Sequence, residues 1–207
     1  MPLFVASAAK SALTGVRHTT KASARTSIAD NFETGLDHWV NVHGYLTTTN
    51  GDVSAPISLN DYSAGYHRTE LLSDNQRAKV TIGSTSTGKA RLIICADPDF
   101  RRYYGIEIET GIVNNKIHII KGFSPIDVKK FNTVNQTATT GATAEVWMDW
   151  PNNTVRAYYN GSQIASLPVP AYEIQHGAGH RKTGVVMGVD WILAPGVLFE
   201  SFEAWDV

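Results

Sequence analysis

The strongest constraint on the fold is a side-chain alternation of period two. Across residues 101–109, Tyr104, Ile106 and Ile108 fall on one face and Tyr103, Glu107 and Glu109 on the other. Successive strand side chains point to opposite sides, so this predicts a strand with one buried face and two acids facing solvent. Thr110-Gly111 ends it. Residues 116–121 follow after Val113-Asn114-Asn115, a turn that tolerates positive φ, and the two segments read as a hairpin. The signature recurs at 144–150 and 154–159, joined by Pro151-Asn152-Asn153, and again after Asn160-Gly161, a type I′ turn signal. Further strands are predicted at 39–42, 76–82, 91–96, 128–131, 184–189, 197–205 and from 162 to 167. Helical periodicity is weak throughout, and only residues 6–13 suit a short helix. About a dozen short strands separated by Gly, Asn and Pro imply two packed antiparallel sheets.

Composition agrees. The 207 residues, 43% of them apolar, suffice for one large β domain with a real core. Net charge is −1, but it is unevenly spread. Residues 1–29 hold Lys10, Arg17, Lys21 and Arg25 and no acid, while acids begin at Asp30. This divides the chain into a basic, Ser/Thr/Ala-rich N-terminal arm (1–29), extended or docked on a partner, and a sandwich domain (30–207). The arm also has the composition of a transit peptide, although docking on a neighbour is the reading adopted. Its positive charges are too sparse for nucleic-acid binding. No run approaches the ~18 apolar residues of a membrane helix, so membrane insertion is not expected. The lone cysteine, Cys95, lies in the apolar run 92–96 and reads as a small buried hydrophobe.

Both domain ends alternate aromatic and acidic residues: Asp30-Asn31-Phe32-Glu33 at the start and residues 199–205 at the close. Pairing of the first and last strands is therefore expected. The segments DNFETGLDHWVNVHG (30–44), SDNQRAKVTIG (73–83), ARLIICADPDFRRYYGIEIETG (90–111), EVWMDWPNNTVRAYYNGSQIASL (145–167) and the closing HRKTGVVMGVDW and LFESFEAWDV resemble concanavalin A-like lectin/glucanase domains. With the small-residue basic arm in front, the chain also resembles minor tail proteins of actinobacterial phages. The resemblance implies an all-β, two-sheet antiparallel jelly-roll sandwich with an extended N-terminal arm. It further implies a non-enzymatic virion protein of the phage tail or tail tip. Its partners would be other tail proteins reached through the arm, further copies in a homo-oligomer, and a host-envelope glycan. A lectin-like module without a virion role is the alternative.

Three chemistries compete for a site. Glycoside hydrolysis needs two carboxylates with different protonation states. Glu107 and Glu109 share a face, but the glucanase pattern the resemblance brings, Glu-x-Asp-x-x-Glu, lacks its later carboxylate here. Glycan binding needs exposed aromatics beside polar groups. The candidates are Arg156, Tyr158, Trp191, Tyr103 and Trp147, with Trp150 behind them. Arg156 and Tyr158 share a strand face and form the preferred pair. Metal binding is weakest. His176 and His180 are four apart, but Gly177 and Gly179 make the segment a loop. The resemblance leaves room for calcium at Asp30, Asp61 and Asp206, but no compact calcium loop is present, so no cofactor is expected.

Overall fold

The computed structural model describes residues 25–56, 62–112, 115–174, 176–188 and 196–207. The arm up to residue 24 with its expected helix, the Val113-Asn114 part of the first hairpin turn, Asp61 and Trp191 lie outside them. In chain order the strands are β1 (Ser27–Asp30), β2 (Trp39–His43), β3 (Thr47–Thr49), β4 (Asp52–Ser54), β5 (Tyr62–His67), β6 (Gln76–Thr85), β7 (Gly88–Ala96), β8 (Tyr103–Thr110), β9 (Lys116–Gly122), β10 (Val128–Asn135), β11 (Thr143–Asp149), β12 (Thr154–Tyr159), β13 (Ser162–Pro168), β14 (Lys182–Gly188) and β15 (Val197–Asp206). They form two antiparallel sheets. The first runs β13-β12-β11-β6-β15-β4-β3, with β1 also pairing to β15. The second runs β10-β9-β8-β7-β14-β5-β2.

Period-two alternation builds the core between them. Ala78, Val80 and Ile82 of β6 point inward, as do Tyr104, Ile106 and Ile108 of β8, and all join one buried cluster. Phe199 and Phe202 of β15 are fully buried there, and each such side chain contributes roughly 1.5–3 kcal/mol. The first and last strands pair as expected, with Ser27 opposite Trp205 and Asp30 opposite Phe202. The sandwich therefore starts at Ser27, three residues before the charge boundary. Asn160 and Gly161 take φ of 47° and 76°, the two positive values a type I′ hairpin requires. Cys95 is 1% exposed at a positive φ of 52°, and its N–H donates to Gln76 Oε1 at 3.0 Å. Burial raises its thiol pKa, so it is an inert packing residue.

The second sheet departs from the expected pattern. Its outer face is not solvated, because a second apolar cluster lies on it, including Ile93, Phe100, Tyr103, Ile120 and Val186. Glu107, expected on the solvent side of β8, is fully buried. The loop carrying Phe100 and the turn closed by Phe123 N–H to Asp127 O fold over this side. β10, at the sheet's edge, is irregular: its register with β9 shifts between Phe131 and Val134, and Asn132 has φ of 42°. No helix among the described residues is long and apolar enough to cross a membrane.

Candidate functional site

The outer face of the first sheet carries the sequence-predicted group. The pairing register lines up one row across five strands. Arg156 of β12 lies opposite Trp147 of β11, which lies opposite Arg77 of β6. Arg77 in turn faces Trp205 of β15, which faces Ser27 of β1. Cations and indoles thus alternate in one line at the ~4.8 Å strand spacing. The Arg77 guanidinium stands over the rings of Trp147 and Tyr158, 5.2 Å from each centroid, and of Trp205 at 5.6 Å. Arg156 stands over Trp147 at 5.4 Å. Such contacts contribute about 0.5–1 kcal/mol each on exposed surfaces. The adjacent row reads Tyr158, Glu145, Lys79 and Glu203.

Neighbouring groups hold this surface in place. Arg77 pairs with Glu145. Arg156 donates from Nε and Nη2 to Asp149 Oδ2 at 3.0 and 2.7 Å. The Trp147 indole N–H donates to Asn75 Oδ1 at 2.9 Å. The structure thus unites Arg156, Tyr158 and Trp147, and it adds Arg77 and Trp205, which sequence reasoning missed. Tyr103 does not belong with them. It lies on the other sheet, 1% exposed, and its hydroxyl donates to Ser124 O at 3.1 Å, so it presents no ring face to a sugar. Trp150 sits in a short 3₁₀ turn with its ring 5.2 Å from that of His176.

A second constellation lies on the outer face of the second sheet. Arg91 Nε donates to Glu107 Oε2 at 2.7 Å, and its Nη1 donates to Pro125 O at 2.8 Å. Lys130 Nζ lies 2.6 Å from both Glu107 Oε1 and Glu109 Oε2. His118 Nε2 is 3.2 Å from Glu109 Oε2, and its Nδ1 is 2.9 Å from Thr133 Oγ1. Burial alone would raise Glu107, but Arg91 and Lys130 outweigh it and hold the carboxyl below its ordinary value. Glu109 is lowered too, against its own burial, chiefly by Lys130. Both carboxyls thus favour the ionised form, whereas glycoside hydrolysis needs one member of such a pair protonated.

Donor atoms of Glu107, Glu109 and His118 lie within 4.8 Å of one another, the spacing of a metal site. The Lys130 ammonium already bridges the two carboxylates. His176 and His180 join no such cluster among the described residues. Asp30 and Asp206, the described residues among the calcium candidates, are engaged by N–H donors. Asp30 accepts from Phe32 N–H at 2.7 Å and Trp39 Nε1 at 2.8 Å. Asp206 accepts from three backbone N–H groups, those of Thr26, Leu72 and Ser73. N–H donors occupy the positions where a cation would bind.

These titrating groups predict an acid-labile fold. His118 and His67 are held below the ordinary histidine value of 6.5, chiefly by burial. Glu107, Glu109 and Asp74 are lowered by their ion pairs and hydrogen bonds. Every one of these groups binds its proton more weakly when folded, so the stability it contributes is complete above its unfolded pKa and is lost as pH falls. Among the described residues that titrate in acid, Asp52 opposes this, raised by burial and by Glu200. The urea midpoint should hold constant down to about pH 7, decline through the histidine range and drop further below about pH 4.5. A midpoint that rises on acidification would contradict the ion-pair assignment.

No known family profile matches the chain, and no curated protein matches it by sequence. Solved structures do match. Peanut lectin is 14% identical with a TM-score of 0.61, over 88% of this chain and 97% of the lectin. The Emp47p carbohydrate recognition domain is 12% identical at 0.63, over 90% and 99%. The Crh5 transglycosylase is 13% identical at 0.59, over 87% and 84%. At these identities the likeness speaks for architecture, and it shows that the chain has the fold of the legume lectin-like, concanavalin A-like sandwiches.

Proposed function

We propose that this domain is a carbohydrate-binding module that engages a glycan with the outer face of its first sheet. The observation that carries the reading is the single row Arg156, Trp147, Arg77 and Trp205, flanked by Tyr158. Indole and phenol surfaces pack against the C–H faces of sugars, and guanidinium N–H groups donate to ring hydroxyls. Trp147 has a guanidinium from the strand on either side and anchors the row, so Tyr158 and Trp205 at its margins carry the sugar contacts. The lectin and carbohydrate-recognition folds of the neighbours support the same reading. No turnover of the bound glycan is expected, because Glu107 and Glu109 are both ionised and already paired.

A glycan array with the intact protein tests this. Binding to a defined glycan is expected, and Tyr158→Ala or Trp205→Ala should weaken it about tenfold with the far-ultraviolet spectrum unchanged. A blank array, or full affinity in both variants, would overturn the reading. A place in a phage tail, with the basic arm docked on a neighbouring subunit, is a further proposal whose support is the sequence resemblance alone. Locating the chain in an assembled particle by electron microscopy tests it, and absence from purified particles would reject it.

A further inference from the structure

The sandwich opens where the edge strands β10 and β13 of the two sheets come together. A cleft of about 190 Å³ lies there, large enough for one sugar-sized ring but not for a chain. Tyr104, Lys121, Lys129, Phe131, Pro168 and Glu173 line it. Tyr104 is 3% exposed, and its hydroxyl oxygen is buried with no hydrogen-bond partner. Buried hydroxyls nearly always find a partner, so an orphan at a cleft marks a place where something else donates or accepts. Burial first, and then the Glu173 charge, raise the phenol's pKa, so the hydroxyl stays protonated.

The charges narrow the ligand. Lys121 Nζ is 2.5 Å from Glu173 Oε2, so these two satisfy each other. Lys129 Nζ stands 5.0 Å from the Phe131 ring centroid and pairs with no carboxylate among the described residues. The cleft therefore offers an apolar wall, an unpaired phenol oxygen and one unneutralised cation. We propose that it binds the terminal ring of an acidic saccharide, a carboxylated hexopyranose of the uronic-acid type. The ring packs on Phe131 and Pro168, a ring hydroxyl meets Tyr104 Oη, and the carboxylate meets Lys129 Nζ. This inference rests on the carbohydrate reading above but uses a different surface from the Arg–Trp row.

The experiment is a titration of the isotope-labelled full chain with methyl β-glucuronide and with methyl β-glucoside, followed by backbone amide shifts. The glucuronide should move amides at 129–131 and 167–170, with the glucoside about tenfold weaker, as expected for loss of a charge-assisted bond. Tyr104→Phe removes only the orphan oxygen, so its thermal midpoint should hold or rise while glucuronide affinity falls about fivefold. Lys129→Gln should erase the preference for the acidic sugar. Glucuronide shifts elsewhere or nowhere would overturn the assignment, as would unchanged affinity in Tyr104→Phe. If the array finds a glycan while the glucuronide moves no cleft amide, the cleft assignment fails and the carbohydrate reading stands. If the array is blank and the cleft amides do not move, both fail.

Discussion

Replacing Arg91 with methionine should lower the unfolding free energy by about 3–5 kcal/mol, read from the urea midpoint at neutral pH. Arg91 is 3% exposed and Glu107 is fully buried, so the substitution leaves a carboxylate in an apolar layer with Lys130 as its remaining cation. It also removes the bond to Pro125 O and the stacking of the guanidinium over Tyr62, 5.1 Å from the ring centroid. The penalty arises mainly from stranding the partner charge. Replacing both residues, Arg91→Met with Glu107→Leu, should therefore recover most of the loss. A single substitution costing less than about 1 kcal/mol would show that water reaches Glu107 and screens it, as at a surface pair.

Asp206→Ala should cost about 3 kcal/mol, because one carboxylate satisfies three backbone donors from separate parts of the chain. The Thr26 N–H precedes β1, and the Leu72 and Ser73 N–H groups lie in the loop before β6; their distances to the carboxylate are 2.9, 3.1 and 2.7 Å. The side chain is 4% exposed, so water replaces it poorly. Asp206→Asn keeps one acceptor oxygen and should lose about half as much. Limited proteolysis gives a separate readout. In Asp206→Ala, cleavage near residue 26 should precede global unfolding as β1 peels from β15. Unchanged cleavage together with an unchanged thermal midpoint would reject the clamp.

The parts of the fold that were legible in the sequence are those encoded locally. β8, β11 and β12 show their alternation within seven or eight residues, and Asn160-Gly161 needs only its own two φ values. What covers a face is not local. Tyr103 and Glu107 sit on the polar-looking side of β8, and residues outside the strand bury that side: Phe100 from the loop leading into it and Pro125 from the turn after β9. Parity alone therefore misassigned Tyr103 as a glycan contact. β3, β4 and β5 were missed because Thr47–Thr49 is wholly polar, Asp52–Ser54 is too short to show a period, and Tyr62–His67 alternates only Tyr62, Ala64 and Tyr66 with Ser63, Gly65 and His67, a weak apolar contrast. For the site, parity put Arg156 and Tyr158 on one strand face, as the structure has them, and the register of β11 with β12 brings Trp147 beside them. The same parity marks Arg77 in β6 and Trp205 in β15 as outward. Placing them in the same row required knowing that β6 lies between β11 and β15, a long-range pairing that no local pattern encodes.

The kinked margin of the second sheet resists pairing with a foreign strand. β10 presents Lys129 and Lys130 beside a register break and a left-handed Asn132. A foreign strand laid along it meets the Lys129 charge, unpaired among the described residues, and a backbone that turns out of line after a few residues. Growth by strand upon strand, the route to fibres, is therefore blocked on that flank.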